Sequence, residues 1–143
     1  MPADPDALAV ALRLNLGLLL RRLRQLSTDT DVPLPEMTAL SRLDRGGPCT
    51  TAELARQEEI SPQSMGATVA ALERRGLVAR APDPGDGRRM ILSLTPAGAA
   101  ALSDSRDMRT RGLAAALRAE FTPAELDQLA DLMPLLERLA QRL

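Results

Sequence analysis

Five arginines, Arg74, Arg75, Arg80, Arg88 and Arg89, fall between positions 74 and 89 and make the densest positive patch in the chain. A guanidinium keeps its charge at any ordinary pH. Its planar fork of donors matches phosphate oxygens and the O6/N7 edge of guanine. Just upstream stand Gln63, Ser64, Ala67 and Thr68, all small or short and polar. Such side chains let a helix backbone approach base edges closely while leaving a few hydrogen-bonding groups to read them. The chemistry on offer is contact with a polyanion. Bond-making chemistry has no comparable support. The chain has no His and a single Cys, Cys49, which excludes a Cys/His zinc site, any triad using His and an intramolecular disulfide. Nothing resembles a nucleophile–base pair, a metal site or a phosphate loop, so neither enzymatic activity nor a cofactor is expected.

The net charge of −1 says little about partners, so the argument rests on where charge lies. All 18 basic residues are Arg, which looks more like a compositional bias than a functional choice. Length favours one domain over 1–143. Phe121 is the sole aromatic, so the core must come from helices with aliphatic seams. The start, Met1 to Asp6, lacks the basic region of a signal peptide, and apolar runs such as Leu16 to Leu20 are too short to span a bilayer. A cytoplasmic protein with no membrane partner is expected.

The elements that must position these groups follow from local signals. Asp4 or Asp6 can cap a first helix running to about Leu26, with Leu8, Leu12, Leu16, Leu19, Leu23 and Leu26 along one side. After a polar loop from Ser27 to Pro33, Pro35 opens a second helix that ends at Gly46-Gly47-Pro48, with Met37 and Leu40 facing inward. Thr50 and Glu53 have capping-box spacing and start a brief third helix from Ala52 to about Glu59. Ser61 and Pro62 open a fourth helix, and Gly76 suits the left-handed residue that stops it. In that helix Met65, Val69 and Leu72 form one narrow apolar face; Gln63, Ser64, Ala67, Thr68 and Arg75 lie off it. An ordinary amphipathic surface helix would show the same pattern. The helix-turn-helix spacing is what favours a reading role. A strand-like Leu77–Pro82, a turn at Asp83–Gly87 and a second strand from Arg88 to Leu94 make a hairpin. Thr95-Pro96 opens a long fifth helix to about Ala119, and the capping box Thr122/Glu125 opens the last. There Leu126, Leu129, Met133, Leu136, Ala140 and Leu143 form a seam suited to pairing with another helix, with Pro134 expected to bend it. The sum is a mainly α (α+β) fold: a winged helix-turn-helix with a two-stranded wing over 34–95, flanked by helices over 5–27 and 96–143.

This order resembles the MarR-type transcriptional regulators. The resemblance is strongest in Leu77-Val-Ala-Arg-Ala-Pro-Asp-Pro-Gly-Asp-Gly-Arg-Arg, followed by Leu92-Ser-Leu-Thr-Pro-Ala-Gly98; Thr51-Ala-Glu-Leu-Ala and Leu72-Glu-Arg-Arg-Gly-Leu-Val also fit. It implies a homodimer joined through the first, fifth and sixth helices, including Leu8, Leu12, Leu126, Leu129, Met133, Leu136 and Leu143. It further implies double-stranded DNA as partner, with the two winged helices in successive major grooves of a pseudo-palindrome. The wing Arg that enters the minor groove corresponds to Arg88, and the Asp that holds it to Asp86. Base-reading positions correspond to Gln63, Ser64, Ala67 and Thr68. Thr50, Ser61, Arg75 and Arg89 complete the candidate DNA contacts. Ala67 departs from relatives that carry a large polar residue there, which removes a bidentate contact and about 1–3 kcal/mol of discrimination.

The resemblance also implies a small apolar or phenolic effector, with Leu12, Leu16, Met37, Leu40 and Met108 as candidate lining and Arg13 or Arg42 as charge partners. For any single one of these, plain core is the simpler assignment. With so few aromatic side chains, ring stacking is not an available recognition mode. Cys49 admits two readings, a redox-sensing thiol or a small buried residue. No basic residue stands beside it in sequence to stabilise a thiolate, which favours burial. Finally, the acidic residues Glu58, Glu59, Glu73, Asp83 and Asp86 near the basic patch leave open a winged-helix module that binds protein instead of DNA.

Overall fold

Each helix that can be read from a cap starts at that cap. The computed structural model describes residues 3–26 and 31–143; Met1, Pro2 and residues 27–30 of the expected loop lie outside them. The element order is α1 (Pro5–Leu26), α2 (Leu34–Gly46), α3 (Thr51–Gln57), α4 (Pro62–Arg74), β1 (Val78–Pro82), β2 (Met90–Leu94), α5 (Pro96–Glu120) and α6 (Pro123–Ala140). Asp4 accepts from the Asp6 and Ala7 amides at the start of α1. Thr50 and Glu53 exchange both bonds of a capping box at α3, and Thr122 and Glu125 do the same at α6. The Ser61 and Thr95 hydroxyls accept from Ser64 and Gly98. Each bond satisfies an amide that the helix itself leaves without a partner.

The core collects the inward faces of α2, α3 and α4 beneath the hairpin. Leu40, Leu54, Val69, Leu72 and Leu92 have no exposed surface, and Met65 is buried beside them. Met37, Leu43, Leu77, Val78 and Leu102 close the same cluster. All are aliphatic or thioether side chains, and Phe121 stays partly exposed outside them. Of the glycines, Gly98 is the most tightly enclosed: a Cβ there would lie 2.1 Å from the Leu77 carbonyl oxygen, so the start of α5 can settle against the strand entry only without a side chain.

Three features differ from the sequence expectation. β2 begins at Met90 rather than Arg88, because the tip closes earlier through Asp83 N–H to the Arg89 carbonyl and Arg89 N–H to the Asp86 carbonyl. The turn after α3 starts sooner than expected, with Glu59 in the left-handed region at φ 54°. The hairpin also has a third partner: Cys49 and Leu92 exchange both backbone bonds as an antiparallel bridge, tying the residue before the α3 cap Thr50 to β2. α6 continues through Pro134 to Ala140. No helix of the described residues is long and apolar enough to cross a membrane.

Candidate nucleic-acid interface

α4 sorts its side chains by face. Met65, Val69 and Leu72 point into the core. Gln63, Ser64 and Ala67 are exposed and Thr68 is half-buried. Two of the four outward groups are partly committed. The Ser61 hydroxyl donates to Ser64 Oγ at 2.9 Å, and the Thr68 hydroxyl donates back to the Ser64 carbonyl at 3.1 Å. Thr68 therefore offers its methyl and an acceptor lone pair outward, while the Gln63 amide has no hydrogen-bond partner among the described residues. Thr50 is half-buried, with its hydroxyl oxygen accepting from the Glu53 amide.

The five arginines separate into two groups. Arg80 makes a two-pronged pair with Glu73, Nε to Oε1 at 3.1 Å and Nη2 to Oε2 at 3.0 Å. Arg89 Nη2 donates to Glu53 Oε1 at 2.8 Å, and its Nη1 lies 3.9 Å from Asp83 Oδ2. Arg75 Nε sits 2.9 Å from Glu36 Oε2 on α2, and its Nη1 donates to the Asp31 carbonyl at 2.7 Å. Glu36 is buried, and its Oε2 accepts no aligned hydrogen bond, so Arg75 holds it by charge. Arg74 and Arg88 are exposed, and among the described residues no acid pairs with either. Asp86 holds Arg88 differently from the expectation: its Oδ1 accepts the Arg88 backbone amide at 3.1 Å, fixing the chain at the tip and leaving the guanidinium free of it. Arg75 was expected on the DNA face. The structure pairs it with Glu36 of α2 and with the backbone before that helix, and among the described residues no other cation pairs with the buried Glu36.

The Glu53 carboxyl is held below its ordinary range, chiefly by the Thr50 backbone N–H, with the Thr50 hydroxyl and the Arg89 and Arg56 charges adding to it. Cys49 is buried against the hairpin. Desolvation, and then the Glu53 charge, push its thiol up, which opposes the thiolate a redox sensor needs.

A second region lies at the helices away from the core. No residue of α1 or α6 is buried. Leu8, Met133 and Leu143 are exposed, and Leu12, Leu126, Leu129 and Leu136 half-buried. Leu8 and Leu12 share an apolar trough with Leu132, Leu135, Leu136 and Leu139. A smaller cavity of about 280 Å³ opens between α1, α2 and α5. Leu20, Leu23, Leu34, Met37 and Leu102 line it with Arg24, Arg45, Arg106, Arg109 and Ser105. Of the expected effector residues, Met37 reaches this cavity. Leu40 does not, because it is sealed in the core; Leu16 is exposed on α1 and Met108 half-buried on α5, outside the lining. Arg42 pairs with Glu58 instead. Sequence reasoning missed Ser105, whose hydroxyl is buried with no hydrogen-bond partner among the described residues. It also missed Arg106 and Arg109, which the even polarity of α5 did not set apart.

Comparison with known proteins agrees with this architecture. The model of the MarR family matches residues 30–89. An HTH-type transcriptional regulator of Mycobacterium bovis is 38% identical over 134 residues, covering 91% of this chain and 93% of that protein. The crystal structure of a transcriptional regulator protein from Pseudomonas aeruginosa PA01 superposes with a TM-score of 0.79 at 35% identity, over 98% of this chain and 99% of that one. A MepR mutant of S. aureus, bound to an oligodeoxyribonucleotide, shares the fold with a TM-score of 0.70 at 19% identity, over 92% of this chain and 96% of that one. With a full-length relative at this identity and a helix-turn-helix followed by a hairpin wing, the chain belongs to the MarR family of winged helix-turn-helix transcriptional regulators and is not an enzyme.

Proposed function

We propose that the protein is a ligand-responsive repressor that binds a pseudo-palindromic operator in double-stranded DNA as a homodimer. The observation that carries the DNA part is the exposed pair of elements: the outward face of α4 with Gln63, Ser64, Ala67 and Thr68, and the wing tip with Arg88 left unpaired among the described residues. Among the four outward side chains of α4, Gln63 can make a bidentate contact to a base, and the Thr68 methyl suits a thymine methyl. Arg88 is the group for the minor groove. The homodimer accounts for α1 and α6. Their leucines leave more apolar surface in water than a monomer ordinarily keeps, and a second copy of the same helices covers it isologously.

The effector fits the cavity between α1, α2 and α5. Its walls are mixed: leucines and Met37 alternate with four arginines and with Thr38, Ser41 and Ser105. Of the apolar or phenolic effector expected from sequence, the phenolic kind, or a carboxylate, suits that mixture better than an uncharged apolar molecule. The repressor reading is supported by a match over part of each chain to the HTH-type transcriptional repressor NicR of Pseudomonas putida, 34% identical over 79 residues, 55% of this chain and 50% of that one.

The test is selection of binding sites from a random duplex pool, with footprinting of the selected sequence. The expected result is a two-fold symmetric site with half-site centres about one helical turn apart, bound by a dimer and released steeply by salt. Failure to enrich any sequence would overturn the proposal and favour a winged-helix module that binds protein.

A further inference from the structure

Two adjacent arginines at the wing tip have opposite fates. Arg88 has its backbone pinned by Asp86, and no acid pairs with its side chain among the described residues. Arg89 turns to α3, where Nη2 meets Glu53 Oε1 at 2.8 Å. The other oxygen of Glu53 accepts the Thr50 amide at 2.8 Å. One carboxylate thus closes the cap of α3 and grips the wing. The backbone of Arg89 completes the tip, donating to the Asp86 carbonyl at 3.0 Å and accepting from Asp83 at 2.8 Å. Below it, the Cys49–Leu92 bridge joins the residue before Thr50 to β2. The wing is therefore fastened to the start of α3 at two levels, by a backbone bridge at its base and by an ion pair at its tip.

We infer that Glu53 and Arg89 form a latch that sets the angle of the wing, so that Arg89 is a positioning residue acting through Arg88 and not itself a contact to DNA. The inference rests on the DNA-binding reading above and deepens it. The hairpin tip over residues 84–89 is exposed, as is β1 beyond Val78, while β2 is exposed only at Met90, so packing holds the base of the wing and not its tip. A contact in the minor groove depends on where the tip is aimed. With Asp83 and Glu53 both within reach, Arg89 would have to give up its pairing to meet a phosphate. The pair is partly exposed, with side chains at 47% and 32%, so its loss leaves the fold standing.

The experiment uses the full-length protein and the duplex selected by the wild type from a random pool. It compares Arg88→Gln, Arg89→Gln, Glu53→Gln and the double variant Arg88→Gln/Arg89→Gln. Gln at position 53 can still make the capping bond, so Glu53→Gln removes the latch and spares the helix. Thermal unfolding checks that all variants remain folded. Expected are roughly tenfold weaker binding for Arg89→Gln and for Glu53→Gln alike, and no further loss when Arg89→Gln is added to Arg88→Gln. Hydroxyl-radical protection at the outer minor-groove positions should fade in both latch variants while protection in the major grooves persists. If Arg89 held a phosphate directly, Glu53→Gln would free it and tighten binding, and Arg89→Gln would add its own loss to that of Arg88→Gln; either result overturns the inference alone. If the wild type selects no duplex, the DNA-binding reading falls and the inference with it.

Discussion

Arg80 holds Glu73 through two parallel hydrogen bonds, Nε to Oε1 at 3.1 Å and Nη2 to Oε2 at 3.0 Å, and so joins the first strand of the wing to the last turn of α4. Both side chains are about one-third exposed, at 36% and 33%. The pair should add less than about 1 kcal/mol to stability. Its larger effect is on charge. Glu73→Gln should release the guanidinium, tighten operator binding and steepen the salt dependence by about one ion per protomer. Urea unfolding and a salt titration of duplex binding check the two halves.

Arg75 presents the opposite case. Its partner Glu36 is buried, and a carboxylate left there alone is costly. Arg75→Gln should destabilise the protein by about 1–3 kcal/mol, a figure kept below that of a fully buried pair because the arginine itself is partly solvated. Arg80→Ala should cost clearly less. Parallel denaturant melts of the two variants test the order.

Two glycines in helices should respond with opposite sign. A Cβ at Gly98 would meet the Leu77 carbonyl oxygen at 2.1 Å, whereas nothing lies within 4 Å of one at Gly66. Gly98→Ala should destabilise by about 2 kcal/mol or more, since backbone must move. Gly66→Ala should stabilise by about 0.5–1 kcal/mol, since alanine loses less backbone freedom inside a helix. Thermal unfolding of both variants decides.

Glu53 links stability to pH. Its folded pKa is lowered, first by the Thr50 amide and further by the Arg89 and Arg56 charges. A lowered folded pKa means stabilisation that is complete above the unfolded value of 4.5 and fades as pH falls through the folded one. Glu125 acts in the same direction through Thr122. Wild-type stability should therefore drop more steeply on acidification below that value than the stability of Glu53→Gln. Melting temperatures across an acid series, wild type against variant, provide the check.

Cys49 should be inert in the folded protein. Burial and the Glu53 charge raise its pKa, so the thiol stays protonated at neutral pH. Alkylation by iodoacetamide should be slow until the protein unfolds, and peroxide should leave duplex binding unchanged in wild type and in Cys49→Ser alike. Rapid alkylation of the folded protein, or an oxidant response lost in the variant, would revive the sensing role.

Much of the fold was legible because its signals are local. Thr50 with Glu53, Ser61 with Pro62, Thr95 with Pro96 and Thr122 with Glu125 each announce a helix within four residues, and the structure starts α3, α4, α5 and α6 at those places. The spacing of Met65, Val69 and Leu72 settled which side of α4 is buried, since an α-helix returns to the same face every three to four residues. Asp86-Gly87 located the turn between the strands, and Gly76 the left-handed stop after α4.

What the residues do with their charge was decided by tertiary structure. Arg74 and Arg75 are neighbours, as are Arg88 and Arg89, and nothing in composition separates the members of either pair. Only the folded chain brings Glu36 to Arg75 and Glu53 to Arg89, across 39 and 36 positions of sequence. The Cys49–Leu92 bridge and the sealing of Leu40 depend on the same long-range approach. Caps, turns and helix faces are set within a few bonds of the residues that encode them. An ion pair, a cavity wall or a buried leucine depends on where distant segments come to rest, so local spacing cannot tell a bound arginine from a free one.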